Sequence, residues 1–202
     1  MPAPVLVACA HGTRSVAGRA AVGGLVAALG RARLTLPVRA AYVDVHPPTV
    51  ADVVARVTDE GEAAVVVPLL LSTGYHVNVD VTRAVEGRRA VRAPALGPDE
   101  RLTALLAERV AAVAAPDDVV VLAAAGSSDP GASTDVEVVA DGLRGHHSGP
   151  VLVGYGSAVE PSVPDAVAAA RREHPGRRVV VAAYLLAPGF FHDRLAAAGP
   201  TR

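Results

Sequence analysis

Val5-Leu6-Val7-Ala8-Cys9-Ala10-His11-Gly12-Thr13-Arg14 is the stretch that decides the fold. Its first six residues are apolar without alternation. That predicts a strand buried on both faces, as in a parallel sheet covered by helices. Its last four residues stand just past the strand, where open parallel sheets bind their ligands.

Working outward, apolar runs alternate with helical segments. A helix is expected over 17–34, weakened by Gly23-Gly24, then a strand over 38–43. Pro47-Pro48 opens a helix to about 58, proline being tolerated in a first turn. A strand follows over 63–71, a helix over 77–86 and a short strand over 90–95. A long helix covers 99–113, with Asp99-Glu100 well placed at its positive end. Ala115-Pro116-Asp117-Asp118 breaks the pattern, which then restarts: strand 119–124, helix 134–143, strand 151–153, helix 161–173, strand 179–186. This order implies an α/β fold with parallel sheets and right-handed crossovers.

The two halves repeat one another. The first strand and His11-Gly12-Thr13 resemble 119–124 and Ala125-Gly126-Ser127. Pro48-Thr49-Val50-Ala51-Asp52 resembles Pro161-Ser162-Val163-Pro164-Asp165. The run from Leu69 to His76 resembles the run from Leu185 to His192. Two similar lobes are therefore expected, 1–115 carrying the site and 116–202 as a degenerate copy. Only ten residues follow His192, so the second lobe lacks the closing strand and helix of its twin. Its bare sheet needs a cover, from the long helix of the first half, from further chain or from a second subunit; a homodimer is the common solution.

Composition narrows the function. The chain has 202 residues, a net charge of −1 and 51% hydrophobic residues. Nothing draws it to nucleic acid or an anionic membrane, and no apolar run reaches the ~20 residues of a membrane helix. The N-terminus lacks a basic region before its apolar stretch and reads as a strand rather than a signal peptide. All 19 basic residues are Arg, which excludes a Schiff-base or P-loop lysine. The one cysteine, Cys9, precludes an internal disulfide and fits a reducing cytoplasm.

The strand ends collect the chemistry. After the first come His11, Gly12, Thr13 and Arg14; after the second, Asp44 and His46; after the third, Ser72, Thr73, Gly74, Tyr75 and His76. Neutral imidazole is a good ligand for first-row divalent ions and, with its pKa near neutrality, a suitable proton acceptor. Asp44 could bind the ion or orient an imidazole. Thr13, the Gly12 backbone and Arg14 suit a substrate carboxylate. Tyr75, Phe190 and Phe191 are half of the six aromatics, and they immediately precede His76 and His192. They either plug the top of each sheet or pack on a flat ring.

The sequence His-Gly-Thr-Arg at 11–14, Tyr42-Val43-Asp44 and Leu-Leu-Leu-Ser-Thr-Gly-Tyr-His at 69–76 resemble the sirohydrochlorin chelatases, a family of class II chelatases with cobalt- and iron-inserting members. The resemblance implies a two-lobed α/β fold and insertion of Fe²⁺ or Co²⁺ into sirohydrochlorin without ATP. The product would serve siroheme or cobalamin synthesis, and no cofactor beyond the metal substrate is implied. It places the catalytic, metal-holding histidines at His11 and His76 and the acidic partner at Asp44, where relatives often carry Glu. Substrate contacts would come from Gly12, Thr13, Arg14, Ser72, Thr73, Gly74, Tyr75 and His192. In the second half Ala125 replaces the first histidine, Ser157 falls near the acidic position, and only His192 survives. The rival is a metal or tetrapyrrole carrier on the same fold.

Three motifs are set aside. Gly154-Tyr155-Gly156 lacks the third glycine of a dinucleotide loop and reads as a turn. His146-His147 reads as exposed spacer, and His174 as the end of a helix. Ala10 stands where an Arg-His-Gly phosphatase loop would need its arginine.

Overall fold

The structure is a computed structural model that describes residues 3–32, 36–74 and 77–197. Two compact units divide the chain. The first is Met1–Leu96 with Leu186–Gly189, and the second is Gly97–Leu185 with Phe190–Arg202.

The first unit is built on strands β1 (Val5–Ala10), β2 (Val38–Tyr42), β3 (Ala64–Pro68) and β4 (Ala90–Arg92). They form one parallel sheet in the order β2-β1-β3-β4. Central β1 is the unbroken apolar run, and alternate residues serve opposite faces. Val5, Val7 and Cys9 join Val50, Val53, Val54 and Val57 of helix α2 (Val50–Asp59) on one face. Ala8 and Ala10 join Val22 of helix α1 (Val16–Arg31) on the other. Proline does not open α2; Thr49 caps it, its side chain accepting from the Asp52 N–H. That leaves Pro47 and Pro48 in the preceding loop, since the cap needs a hydroxyl at the position before Val50. The helix expected over 77–86 is a π-helical turn, Val77–Val81, followed by the short helix α3 (Thr82–Val85).

The second unit has strands β5 (Val119–Ala124), β6 (Val151–Tyr155) and β7 (Val179–Tyr184), parallel in the order β6-β5-β7. All six residues of β5 are buried. Helix α5 (Pro130–Arg144) begins four residues before expected, because Asp129 caps it and Pro130 enters its first turn. Helix α6 (Val163–Glu173) is capped by Ser162 and ends at His174, as expected. Gly154 and Tyr155 are strand and not turn: the missing side chain of Gly154 lets β6 approach α6, a Cβ there lying 2.9 Å from Val163 Cα.

The expected boundary at 115 moves to 96/97. Helix α4 (Glu100–Ala111), assigned from the sequence to the first lobe, packs on α5 and β7. Gly142 makes room for it, a Cβ there lying 2.7 Å from Thr103 Cγ2. The sheet that has three strands among the described residues thus has the long helix against it. A last helix, α7 (Phe190–Ala197), was not foreseen. His147 is tethered, its Nε2 lying 2.8 Å from the Asp118 carbonyl, while His146 is exposed as expected.

Candidate metal centre

The site grows out of the β1–β2 ladder, which does not stop where the strands do. Val43 N–H donates to the Ala10 carbonyl and Asp44 N–H to the His11 carbonyl, both at 3.0 Å. Asp44 is thereby fixed beside His11 by backbone alone. Gly12 has φ +99°, and a Cβ there would run into the Asp44 carbonyl. Only glycine meets both demands. Val45 takes φ 73°, a rare conformation for a β-branched residue. Its N–H donates to Asp44 Oδ1 at 2.6 Å. One carboxylate oxygen of the exposed Asp44 is therefore held, and the other takes no part in that bond.

His11 is half-buried, with Nδ1 3.3 Å from the Gly12 carbonyl. In the tautomer that donates there, Nε2 carries the lone pair a metal or a pyrrole proton needs. Thr13 Oγ1 accepts from the Ser15 N–H at 3.1 Å, and Ser15 caps α1 through the Gly18 N–H. Arg14 is exposed. His46 is engaged otherwise: Nδ1 lies 3.0 Å from the Pro47 carbonyl and the ring 4.0 Å from that of Tyr42. Its Nε2 is buried without a partner among the described residues.

From the third strand end, Ser72, Thr73 and Gly74 are half-buried. Leu69 N–H donates to the Cys9 carbonyl at 2.7 Å and carries this loop up from β1. Tyr75 and His76 lie outside the described residues. The π-helical turn that follows is a feature frequent at functional sites. Cys9 is no thiolate ligand: burial, then the charge of Asp80, pushes its pKa up to about 12. Among the described residues no three His, Cys, Asp or Glu side chains gather as a metal cluster.

The second unit repeats the scaffold without the chemistry. Gly126 has φ +85° and would meet the Ser157 carbonyl with a Cβ, as Gly12 would meet that of Asp44. Ala158 takes φ 64°, as Val45 does. Ser157 Oγ donates to the Ala125 carbonyl at 3.0 Å, where the first unit has its carboxylate and imidazole. Phe191 lies over these strand ends, its ring 3.1 Å from where a Gly156 Cβ would be. Phe190 is 68% exposed, with Arg194 5.6 Å from its ring centre. Phe191 thus covers these strand ends while Phe190 faces solvent. His192 is exposed on α7 in the second unit, its Nδ1 3.7 Å from Asp193 Oδ1. Sequence reasoning missed Val45, whose signal is conformational and not chemical.

Two parallel sheets, each flanked by helices, with a glycine-pinned loop past the first strand of each, make this a two-lobed chelatase-like α/β protein. The chain belongs to the CbiX family, whose sequence model matches residues 5–113 and 119–198. Among solved structures, SirB from Bacillus subtilis with Fe3+ is 21% identical over 96% of this chain and 81% of that one, with a TM-score of 0.78. The sirohydrochlorin chelatase SirB from Bacillus subtilis subspecies spizizenii, in complex with cobalt, is 19% identical over 96% and 91%, with a TM-score of 0.67. DR2241 from Deinococcus radiodurans, a multi-domain protein with structural similarity to chelatases and two additional novel domains, is 19% identical over 98% of this chain and 54% of that one, with a TM-score of 0.61. At these identities the likeness is one of fold. No curated protein matches the chain.

Proposed function

We propose that this chain is an ATP-independent sirohydrochlorin chelatase, with Fe²⁺ or Co²⁺ as its metal substrate. The observation that carries the proposal is the backbone-fixed pairing of His11 with Asp44 past the central strand of a CbiX-family sheet. The fold neighbours with bound Fe3+ and cobalt support it. His11, His76 and Asp44 receive the ion. Insertion forms bonds from the metal to the macrocycle nitrogens and releases two pyrrole protons, which the imidazoles accept and pass to water. Asp44 offsets the charge of the incoming cation. Gly12, Thr13, Arg14, Ser72, Thr73, Gly74 and Tyr75 bind the substrate's carboxylates and edge. Affinity does not select iron, since Co²⁺ outranks Fe²⁺ at such ligands; supply in the cell decides between siroheme and cobalamin synthesis. The single buried cysteine suits a cytoplasmic setting.

The test mixes purified protein with sirohydrochlorin and Co²⁺ or Fe²⁺ and follows the absorbance change. Acceleration over the uncatalysed rate, with many turnovers, is expected. Stoichiometric binding without acceleration would make the chain a carrier. Light scattering at micromolar concentration tests the homodimer: a dimer mass supports it and a monomer ends it.

A further inference from the structure

The tetrapeptide Leu186–Gly189 lies far down the chain but belongs to the first unit. Ala187 packs on the apolar cluster of Ala8, Ala10, Val22 and Leu69, which lies on the α1 side of β1. Pro188 then meets the first turn of α1, and Gly189 the loop between β1 and α1. A Cβ on Gly18 would run into the Pro188 carbonyl and lie 2.8 Å from Thr13 Cγ2. A Cβ on Gly189 would lie 3.0 Å from Thr13 Oγ1. Thr13 is thus wedged between two buried glycines, its methyl toward one and its hydroxyl toward the other. Neither glycine has a positive φ, so what each position needs is the missing side chain and not a special backbone. Thr13 is joined to Gly12, itself pinned on Asp44, and Gly12 to His11.

We infer that Leu186–Gly189 is a positioning strap: seated on the α1 face of the first sheet, it fixes Thr13 and through it sets the His11 imidazole against Asp44. This rests on the chelatase reading of the same loop. Pro188 and Gly189 act through Thr13, as positioning residues.

The experiment is Gly189→Ala in the full chain, with Gly23→Ala as control, since a Cβ on Gly23 meets nothing within 4 Å. Two readouts are taken, Co²⁺ affinity from a titration with the metal alone and the kcat and KM of sirohydrochlorin metalation. Displacement of a reacting group by ~1 Å costs up to ~10²-fold. The new methyl shifts Thr13 by only a fraction of that, so Gly189→Ala is expected to lower kcat about ten-fold and weaken Co²⁺ several-fold with KM little changed. Gly23→Ala stays at wild-type values. In a Thr13→Ala background, which removes the contact, Gly189→Ala adds nothing further. Wild-type kcat and Co²⁺ affinity in Gly189→Ala, or effects of Gly189→Ala and Thr13→Ala that simply multiply, overturn the strap. If Gly189→Ala does not fold, Ala187→Gly takes its place, loosening the seat without a clash, and must move both readouts the same way. A wild-type chain that never metalates sirohydrochlorin defeats the chelatase reading, and the Co²⁺ titration then decides the strap alone.

Discussion

Replacing Gly12 by alanine tests the pairing of His11 with Asp44 at its hinge. At φ +99° an L-residue pays at least the ~1–2 kcal/mol of a left-handed conformation. The new methyl also overlaps the Asp44 carbonyl and approaches Val45 Cβ to 3.3 Å. Overpacking of that kind costs about 1–3 kcal/mol, for a total of roughly 2–5 kcal/mol. In a chain of this size 1 kcal/mol moves Tm by about 2–4 °C, so the melting point should fall by some 4 to 20 °C. The Asp44 carbonyl is backbone, so relief comes by pushing the carboxylate away from His11, and Co²⁺ affinity should fall with it. Gly126→Ala is the internal control. It meets the same clash against the Ser157 carbonyl at φ +85° and should cost similar stability while leaving Co²⁺ affinity within about two-fold. Thermal melts and Co²⁺ titrations on both variants read this out. A Gly12→Ala protein that melts within 2 °C of wild type, or loses no more Co²⁺ affinity than Gly126→Ala, refutes the reasoning.

Other expectations are simpler. His11→Ala and His76→Ala should each lower turnover ~10²–10⁴-fold with the fold intact, by circular dichroism and stopped-flow absorbance; near-wild-type rates in both would remove the site. Asp118 accepts from Arg178 at 2.6 and 2.9 Å and from the Ala115 N–H at 2.7 Å, and these bonds hold its carboxyl below the usual range. Its contribution is therefore complete above the unfolded value of about 4 and lost as pH falls through the lower folded one. Asp118→Asn should lower Tm at pH 7 and converge on wild type in acid; a Tm gap independent of pH would contradict it. Ser162→Ala removes the α6 cap and should cost ~1 kcal/mol in a denaturant melt, with no cost at all counting against the cap.

Central strands were the most legible part of the sequence. Val119–Ala124 is an unbroken apolar run between a Pro-Asp-Asp breaker and a glycine, and it is a strand over that span. The repeat was legible because its anchors are backbone devices, and Gly12 and Gly126 both keep a positive φ. Helix α4 was misassigned for a physical reason. Chain order offers it to the sheet it follows, but the apolar side of a helix does not specify which sheet will cover it. Helix α7 had little apolar signal, and Leu195, at 4% exposure, is its one buried residue among those described. Strand ends in the sequence placed His11 and Asp44 on one rim, and the backbone bonds past β1 and β2 do set them side by side. The conformation of Val45 had no sequence signal, since valine is not a left-handed residue.

The placement of Leu186–Gly189 bears on synthesis. A ribosome delivers Met1–Leu96 long before the tetrapeptide that completes the same unit, with Gly97–Leu185 emerging as a separate body in between. Vectorial folding, N-terminal unit first, therefore produces a sheet whose loop after β1 lacks its last neighbour. Closing that gap is a contact of very high sequence separation, the kind that forms late. A nascent chain stopped before Leu186 would carry His11 and Asp44 and still hold their loop loosely, so the first unit would be complete only once Leu186–Gly189 had been made.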